Sequence, residues 1–205
     1  MRREPDIPAR TSDLTLISQR VLSTFSDIGR SVVVGISGFG GAGKSTAAQA
    51  LRARLPDSVL VPGDEFIRFR PPTTRSDDWS DMDRNRLLQQ VLLPTQRGEA
   101  GRYQIYDWDT QRLGEWVPLT GSVVIVEGVG LFHPELVEHF DLRVWIDVDL
   151  DTATVRGMWR DENVFRNPQV DLWERVWKPN DADFFRRFQP DQAAHIIYSP
   201  SASRL

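Results

Sequence analysis

Eight consecutive residues, Gly38, Phe39, Gly40, Gly41, Ala42, Gly43, Lys44 and Ser45, fit the pattern G-x-x-x-x-G-K-[ST] and directly follow the apolar run from Ser31 to Ile36. A strand, a glycine loop and a helix start stand there in order, with Thr46 continuing the helix. Each part has a physical reason. Glycines let backbone N–H groups converge on phosphate oxygens, a lysine reaches the terminal phosphates, and a hydroxyl such as that of Ser45 holds Mg²⁺. The pattern implies that the chain binds a nucleoside triphosphate.

Lysine usage points the same way. Of 25 basic residues only Lys44 and Lys178 are lysine. A compact ammonium fits inside such a loop where a planar guanidinium does not. A dinucleotide fold is the sharper rival, because Gly38, Gly40 and Gly43 also satisfy G-x-G-x-x-G and Asp64 follows downstream. That fold has no need for the Lys44-Ser45 pair, nor for a second carboxylate at a strand end.

The 205 residues are enough for one domain that buries roughly 70% of its unfolded surface. There is no cysteine, so disulfides and thiolate metal sites are excluded, and three scattered histidines argue against zinc. A net charge of -4 argues against a broad nucleic-acid surface. No apolar run approaches the roughly 20 residues of a membrane span. Residues 1–10 are charged and proline-bearing without an apolar signal core, which predicts a frayed tail, a single domain over 11–205 and a cytoplasmic protein.

Leu14, Ile17, Val21, Phe25 and Ile28 recur at helical spacing after the capping candidates Thr11, Ser12 and Asp13. Helices are expected over Lys44 to Leu55, Asp81 to Arg97, Pro134 to Phe140, Asp151 to about Asn163, and Val170 to Phe188 with an interruption at Pro179. Strands are expected at Ser58 to Val61, Ser122 to Val126, Leu142 to Val148 and His195 to Tyr198. Two short ones, Tyr103 to Ile105 and Trp116 to Leu119, would pair around Gly114. Alternation of this kind predicts an α/β fold, a parallel sheet flanked by helices on both faces. The stretch from Arg68 to Asp83 is read as a mobile insertion or a plain surface loop.

Ligands of such sheets gather at the C-terminal ends of strands, so acids just past strand ends carry the chemistry. Asp64 follows one strand and Glu127 another. One carboxylate near Mg²⁺ and one able to accept a proton from an attacking hydroxyl form a minimal phosphoryl-transfer set. Glu65 adjoins Asp64 and could replace it. Arg156 and Arg160 share a helix face and could clamp a triphosphate, although such a row is more often a solvated face. The tryptophans of the C-terminal half, Trp145, Trp159, Trp173 and Trp177, read as core packing before pocket lining.

The order of Gly38 to Ser45, Asp64-Glu65-Phe66, Tyr106-Asp107-Trp108, Val124 to Gly128 and Arg156 to Asp161 resembles the uridine kinase family, from about Ser31 to Tyr198. The resemblance implies a P-loop NTPase fold with a helical lid, here over about 156–188. It implies a kinase that uses ATP and Mg²⁺ to phosphorylate a hydroxyl of a nucleoside. By that likeness Asp64 is the catalytic base, and Ser45 and Glu127 hold the metal. Asp83 matches the ribose ligand and Tyr106 a base-contacting residue, while Arg156 and Arg160 match the lid arginines.

Two positions depart from that pattern. Ile67 stands where the family usually has a tyrosine, and Gln111 and Arg112 stand where it has its base-reading histidine. Replacing such polar partners puts pyrimidine preference in doubt while leaving the transfer chemistry intact. Pantothenate, nicotinamide riboside or a sugar phosphate stays open as the acceptor. The partner expected is a small-molecule hydroxyl acceptor, with no nucleic acid and no membrane, and a homo-oligomer is left open. A GTPase-type switch is disfavoured, because neither lysine sits in an Asn-Lys-x-Asp context.

Overall fold

The computed structural model describes residues 7–68, 73–107 and 109–200. Six strands form one parallel sheet in the order β1 (Ala9–Thr11), β8 (Ile196–Tyr198), β7 (Leu142–Ile146), β2 (Val32–Ser37), β6 (Val123–Glu127), β3 (Ser58–Pro62). Helices flank it, giving the P-loop NTPase architecture. The central strands β2 and β6 are buried along their whole length, which is why they read as unbroken apolar runs. Among the described residues, no helix is long and apolar enough to cross a membrane.

Helix α1 (Leu14–Ile28) starts where Asp13 accepts from the Thr15 N–H at 2.7 Å and stops at Gly29, whose φ of 71° suits a left-handed cap. Its apolar stripe, with Ile17 and Val21 buried, packs on α2 (Lys44–Arg52) and β2. The pair covers part of one sheet face, and α2 also touches β3 and β6. The first turn of α2 is thereby fixed beside the strand ends.

Several expectations are corrected. Residues 9 and 10, expected in a frayed tail, belong to an edge strand: Ala9 donates to the His195 carbonyl at 3.0 Å and Arg10 pairs with Asp147 at 3.0 Å. Residues 1–6 of that tail lie outside the described residues. The hairpin β4 (Arg102–Asp107) and β5 (Arg112–Pro118) turns before Gly114, which lies inside β5. Asp107 makes the turn there, accepting from the Asp109 and Thr110 N–H groups at 2.9 and 3.1 Å, and Gln111 takes a φ of 54°. Trp108 lies outside the described residues. Between Pro134 and Phe140 the helix is only one 3₁₀ turn, Val137–His139.

Prolines do not interrupt the helices in which they stand. Segment 84–96 runs as α3 (Arg84–Leu87), a π turn (Leu88–Leu92) and α4 (Leu93–Gln96), with Pro94 in its last part. Segment 170–188 repeats the device with α6 (Val170–Leu172), a π turn (Trp173–Trp177) and α7 (Lys178–Phe188), with Pro179 in its first turn. The carbonyl four residues before each proline, on Gln90 and Arg175, falls inside the widened turn. A wider turn relieves the clash and the missing donor that a proline brings to a regular helix.

The described part of the 68–83 stretch is strapped down. Asn180, fully buried, accepts from the Ser76 N–H at 2.9 Å and donates to the Thr74 carbonyl at 3.0 Å. Arg75 binds Asn180 and Asp183, and Arg187 reaches Asp77 at 2.6 Å.

Candidate active site

The loop between β2 and α2 bends through Gly41 and Gly43, with φ of 80° and 96°, angles at which an L side chain is strained. Close approach adds a second constraint. A Cβ on Gly41 would lie 2.0 Å from the Ala153 carbonyl of α5 (Leu150–Asn163), and one on Gly40 would lie 3.0 Å from the Trp173 ring. The bare backbone of this loop is therefore packed under α5 and the π turn at Trp173–Trp177.

Lys44 is buried and its Nζ donates to the Phe39 carbonyl at 2.8 Å, spanning the loop. Burial pushes its ammonium below the usual lysine range, against the pull of Glu127, Asp181 and Asp64. Ser45 Oγ donates to Glu127 Oε1 at 3.0 Å. Burial pushes the Glu127 carboxyl upward, opposed by Lys44. Register explains the meeting: Ile36 pairs with Glu127 across parallel β2 and β6, so both strands end at one level.

A cavity of about 300 Å³ opens over the loop. Gly40, Gly41, Lys44, Ser45, Asp64, Glu127 and Arg160 line it together, so seven residues expected at the site converge. Asp64 and Glu65, which the sequence leaves as alternatives, occupy different places. Asp64 faces the cavity, whereas the Glu65 carboxylate accepts from the Tyr106 N–H and its carbonyl accepts from Arg86. Glu65 thus fastens the turn after β3 to the hairpin.

Other expected residues take different positions. Gly38, Ala42, Gly43 and Thr46 belong to the loop and the first turn of α2 without lining the cavity. Asp83 caps α3, accepting from the Arg86 N–H at 3.1 Å, and pairs with Arg68 at 3.5 Å. Tyr106 is buried in β4, and Gln111 and Arg112 are exposed at the hairpin tip. Arg156 does not line the cavity, while Arg160 does and is held by Asp161 at 2.8 Å.

The cavity also recruits Trp79 and Asp181, which the sequence did not single out, and two tryptophans expected first in the core. Trp79, Trp173 and Trp177 line it, and two buried acids orient two of them: Trp79 Nε1 donates to Asp181 at 3.1 Å and Trp173 Nε1 to Asp161 at 2.7 Å. Trp145 is core and Trp159 is about half exposed, so the tryptophans divide between roles. A signal for Asp181 exists in the sequence. Trp177, Asp181, Phe184 and Phe188 follow helical spacing, which puts an acid at an apolar position.

The donors fit Mg²⁺ and a polyphosphate. Among the described residues no group of three or more His, Cys, Asp or Glu could hold a metal on its own. Mg²⁺ needs none, since it binds through one or two protein oxygens plus phosphates and water, and a hydroxyl beside a carboxylate supplies hard oxygens.

Residues 33–167 match the family model described as Phosphoribulokinase / Uridine kinase family. The chain is 27% identical over 172 residues to a uridine kinase of Saccharomyces cerevisiae, covering 75% of this chain and 34% of the yeast protein, so it spans about a third of that relative. It is 25% identical over 166 residues to a uridine kinase of Borrelia turicatae, covering 77% of this chain and 81% of that one. A solved structure named a "Possible Uridine Kinase" from Bacillus stearothermophilus shares the fold, with a TM-score of 0.61 and 16% identity over 89% of this chain and 99% of the other.

Proposed function

Since the chain belongs to the Phosphoribulokinase / Uridine kinase family, we propose that it is an ATP-dependent kinase that transfers the γ-phosphoryl group to a hydroxyl of a small, nucleoside-like acceptor. One observation carries the reading: a buried lysine, a Ser45–Glu127 pair at 3.0 Å and an acid on a different strand end face one cavity over a glycine loop.

Backbone amides of Gly40 to Lys44 would hold the phosphates, and Lys44 would neutralise the β and γ groups. Ser45 and Glu127 would hold Mg²⁺, which when bound neutralises phosphate charge. Asp64 takes the proton of the acceptor hydroxyl as its oxygen bonds to phosphorus and the bond to the ADP oxygen breaks. Arg160, half exposed on α5, covers the transferring group. Arg156, off the cavity, would join it only if α5 turned. Most of the acceleration then comes from positioning and electrostatics rather than covalent chemistry.

The sequences of the two uridine kinases favour a nucleoside. A second reading, a different hydroxylated metabolite, is favoured by Asp83 and Tyr106, which serve as a helix cap and a buried strand residue. The cavity that Asp64 faces is also lined by the apolar Ile67, Trp79 and Val129. Screening nucleosides, pantothenate and sugars with ATP and Mg²⁺, read as ADP release, separates the two. A chain that binds no ATP analogue under saturating Mg²⁺ would sink both. A cytoplasmic enzyme is part of the same reading.

A further inference from the structure

Asp181 is a buried acid that the transfer chemistry does not use. It is 4% exposed, yet both carboxylate oxygens are engaged: Oδ2 accepts from the Gly40 N–H at 2.7 Å and Oδ1 from Trp79 Nε1 at 3.1 Å. Burial pushes its carboxyl up to about 6. The charged group that faces it is Lys44 of α2, which itself feels Glu127 of β6, Asp64 and Arg160 of α5. On the 73–80 segment, Arg75 and Asp77 are taken up by Asp183 and Arg187, and Asp78 pairs with Arg84. Trp173 brings an uncharged ring whose N–H goes to Asp161.

Gly40 and Asp181 both line the cavity and the Gly40 N–H goes to Asp181, so α7 already supplies an anion where the proposed function puts a polyphosphate. Two anions cannot share that place, because like charges repel strongly where water is excluded. On its other oxygen Asp181 holds Trp79, and the neighbouring Asn180 holds Thr74 and Ser76. One pair of adjacent side chains therefore ties the phosphate loop to the 73–83 wall of the cavity.

We propose that Asp181 is a positioning residue that competes with polyphosphate for the Gly40 amide, so that nucleotide binding releases Asp181 and, through Trp79, resets the wall against which the acceptor rests. This inference stands on the nucleotide-binding reading of the site. It makes nucleotide binding a precondition for the acceptor site and links it to proton uptake by Asp181.

The test uses the full chain with Asp181→Asn, which removes the charge and, having one acceptor oxygen, keeps at most one of the two bonds. Binding of magnesium tripolyphosphate and of a non-hydrolysable ATP analogue is measured by calorimetry. The variant is expected to bind both at least about fivefold tighter at about pH 8, the low end of typical coupling. The ratio to wild type, in which the ligand's own titration cancels, is expected to close towards one at about pH 5, where Asp181 is protonated. Equal or weaker binding by the variant at the higher pH, or a ratio that ignores pH, overturns the inference.

Should the variant fail to fold, the wild-type Trp79 indole N–H resonance, assigned with Trp79→Phe, gives the answer. It is expected to move upfield as tripolyphosphate is added, because it loses a carboxylate partner, and an unmoved or downfield-shifted signal overturns the proposal. If wild type binds neither ligand, the nucleotide reading itself falls, and this inference with it.

Discussion

Ser45 Oγ donates to Glu127 Oε1 across 3.0 Å, joining the first turn of α2 to the end of β6 although the residues stand 82 positions apart. The contact sets a hard-oxygen pair beside the buried Lys44, and Asp64 faces the same cavity from the turn after β3.

Removing the ammonium tests the centre of this arrangement. Lys44→Ala is expected to lower turnover by on the order of 10²–10³, the scale seen when one preorganised electrostatic donor is removed. Steady-state ADP release at saturating ATP measures it, and a fully active variant would end the kinase reading.

Asp64 and Glu65 should separate cleanly. Asp64→Asn is expected to lose transfer while retaining affinity for an ATP analogue. Glu65→Gln is expected to keep turnover but to lose about 1–3 kcal/mol of stability, since it weakens a charged bond to the Tyr106 N–H. Parallel kinetics and urea unfolding read both, and a reversed pattern would move the base to Glu65.

The pH dependence of stability follows from Asp181. Its folded-state pKa, about 6, lies above the ordinary 3.8, so the folded protein binds the extra proton. Its contribution is therefore fullest below about pH 4 and is lost as pH rises through about 6. The stability of wild type minus that of Asp181→Asn should fall by about 3 kcal/mol across that window. A flat difference curve would show that the carboxyl is not buried in solution.

Gly157 lies under the Trp173 ring, where a Cβ would come within 2.3 Å of it. Gly157→Ala should push the indole aside and cost about 1–3 kcal/mol, as overpacking does. Thermal unfolding followed by tryptophan fluorescence measures it, and an unchanged midpoint would mean that this contact is loose.

Asn180 holds the 73–80 segment by side-chain bonds alone. Asn180→Ala should remove the partner of the Ser76 N–H and of the Thr74 carbonyl, at about 0.5–1.5 kcal/mol for each bond, and should open the segment to limited proteolysis. Equal cleavage rates in variant and wild type would place the strap elsewhere.

By itself the sequence determined the local chemistry: a strand, glycine loop and helix in consecutive order, an amphipathic α1 with its capping candidates at Thr11 to Asp13, and acids at two strand ends. Such features are written in neighbouring residues, because helix and strand periods and φ-demanding glycines act over a few positions. Tertiary structure alone decided which acid faces the cavity, that Asp83 is a cap, and that residues 9 and 10 pair on the sheet edge. It also decided that Asp181 meets Gly40 across 141 positions and Trp79 across 102. Those outcomes depend on strand order, helix packing and the π turns that let Pro94 and Pro179 stay helical, and no local period encodes which distant groups become neighbours.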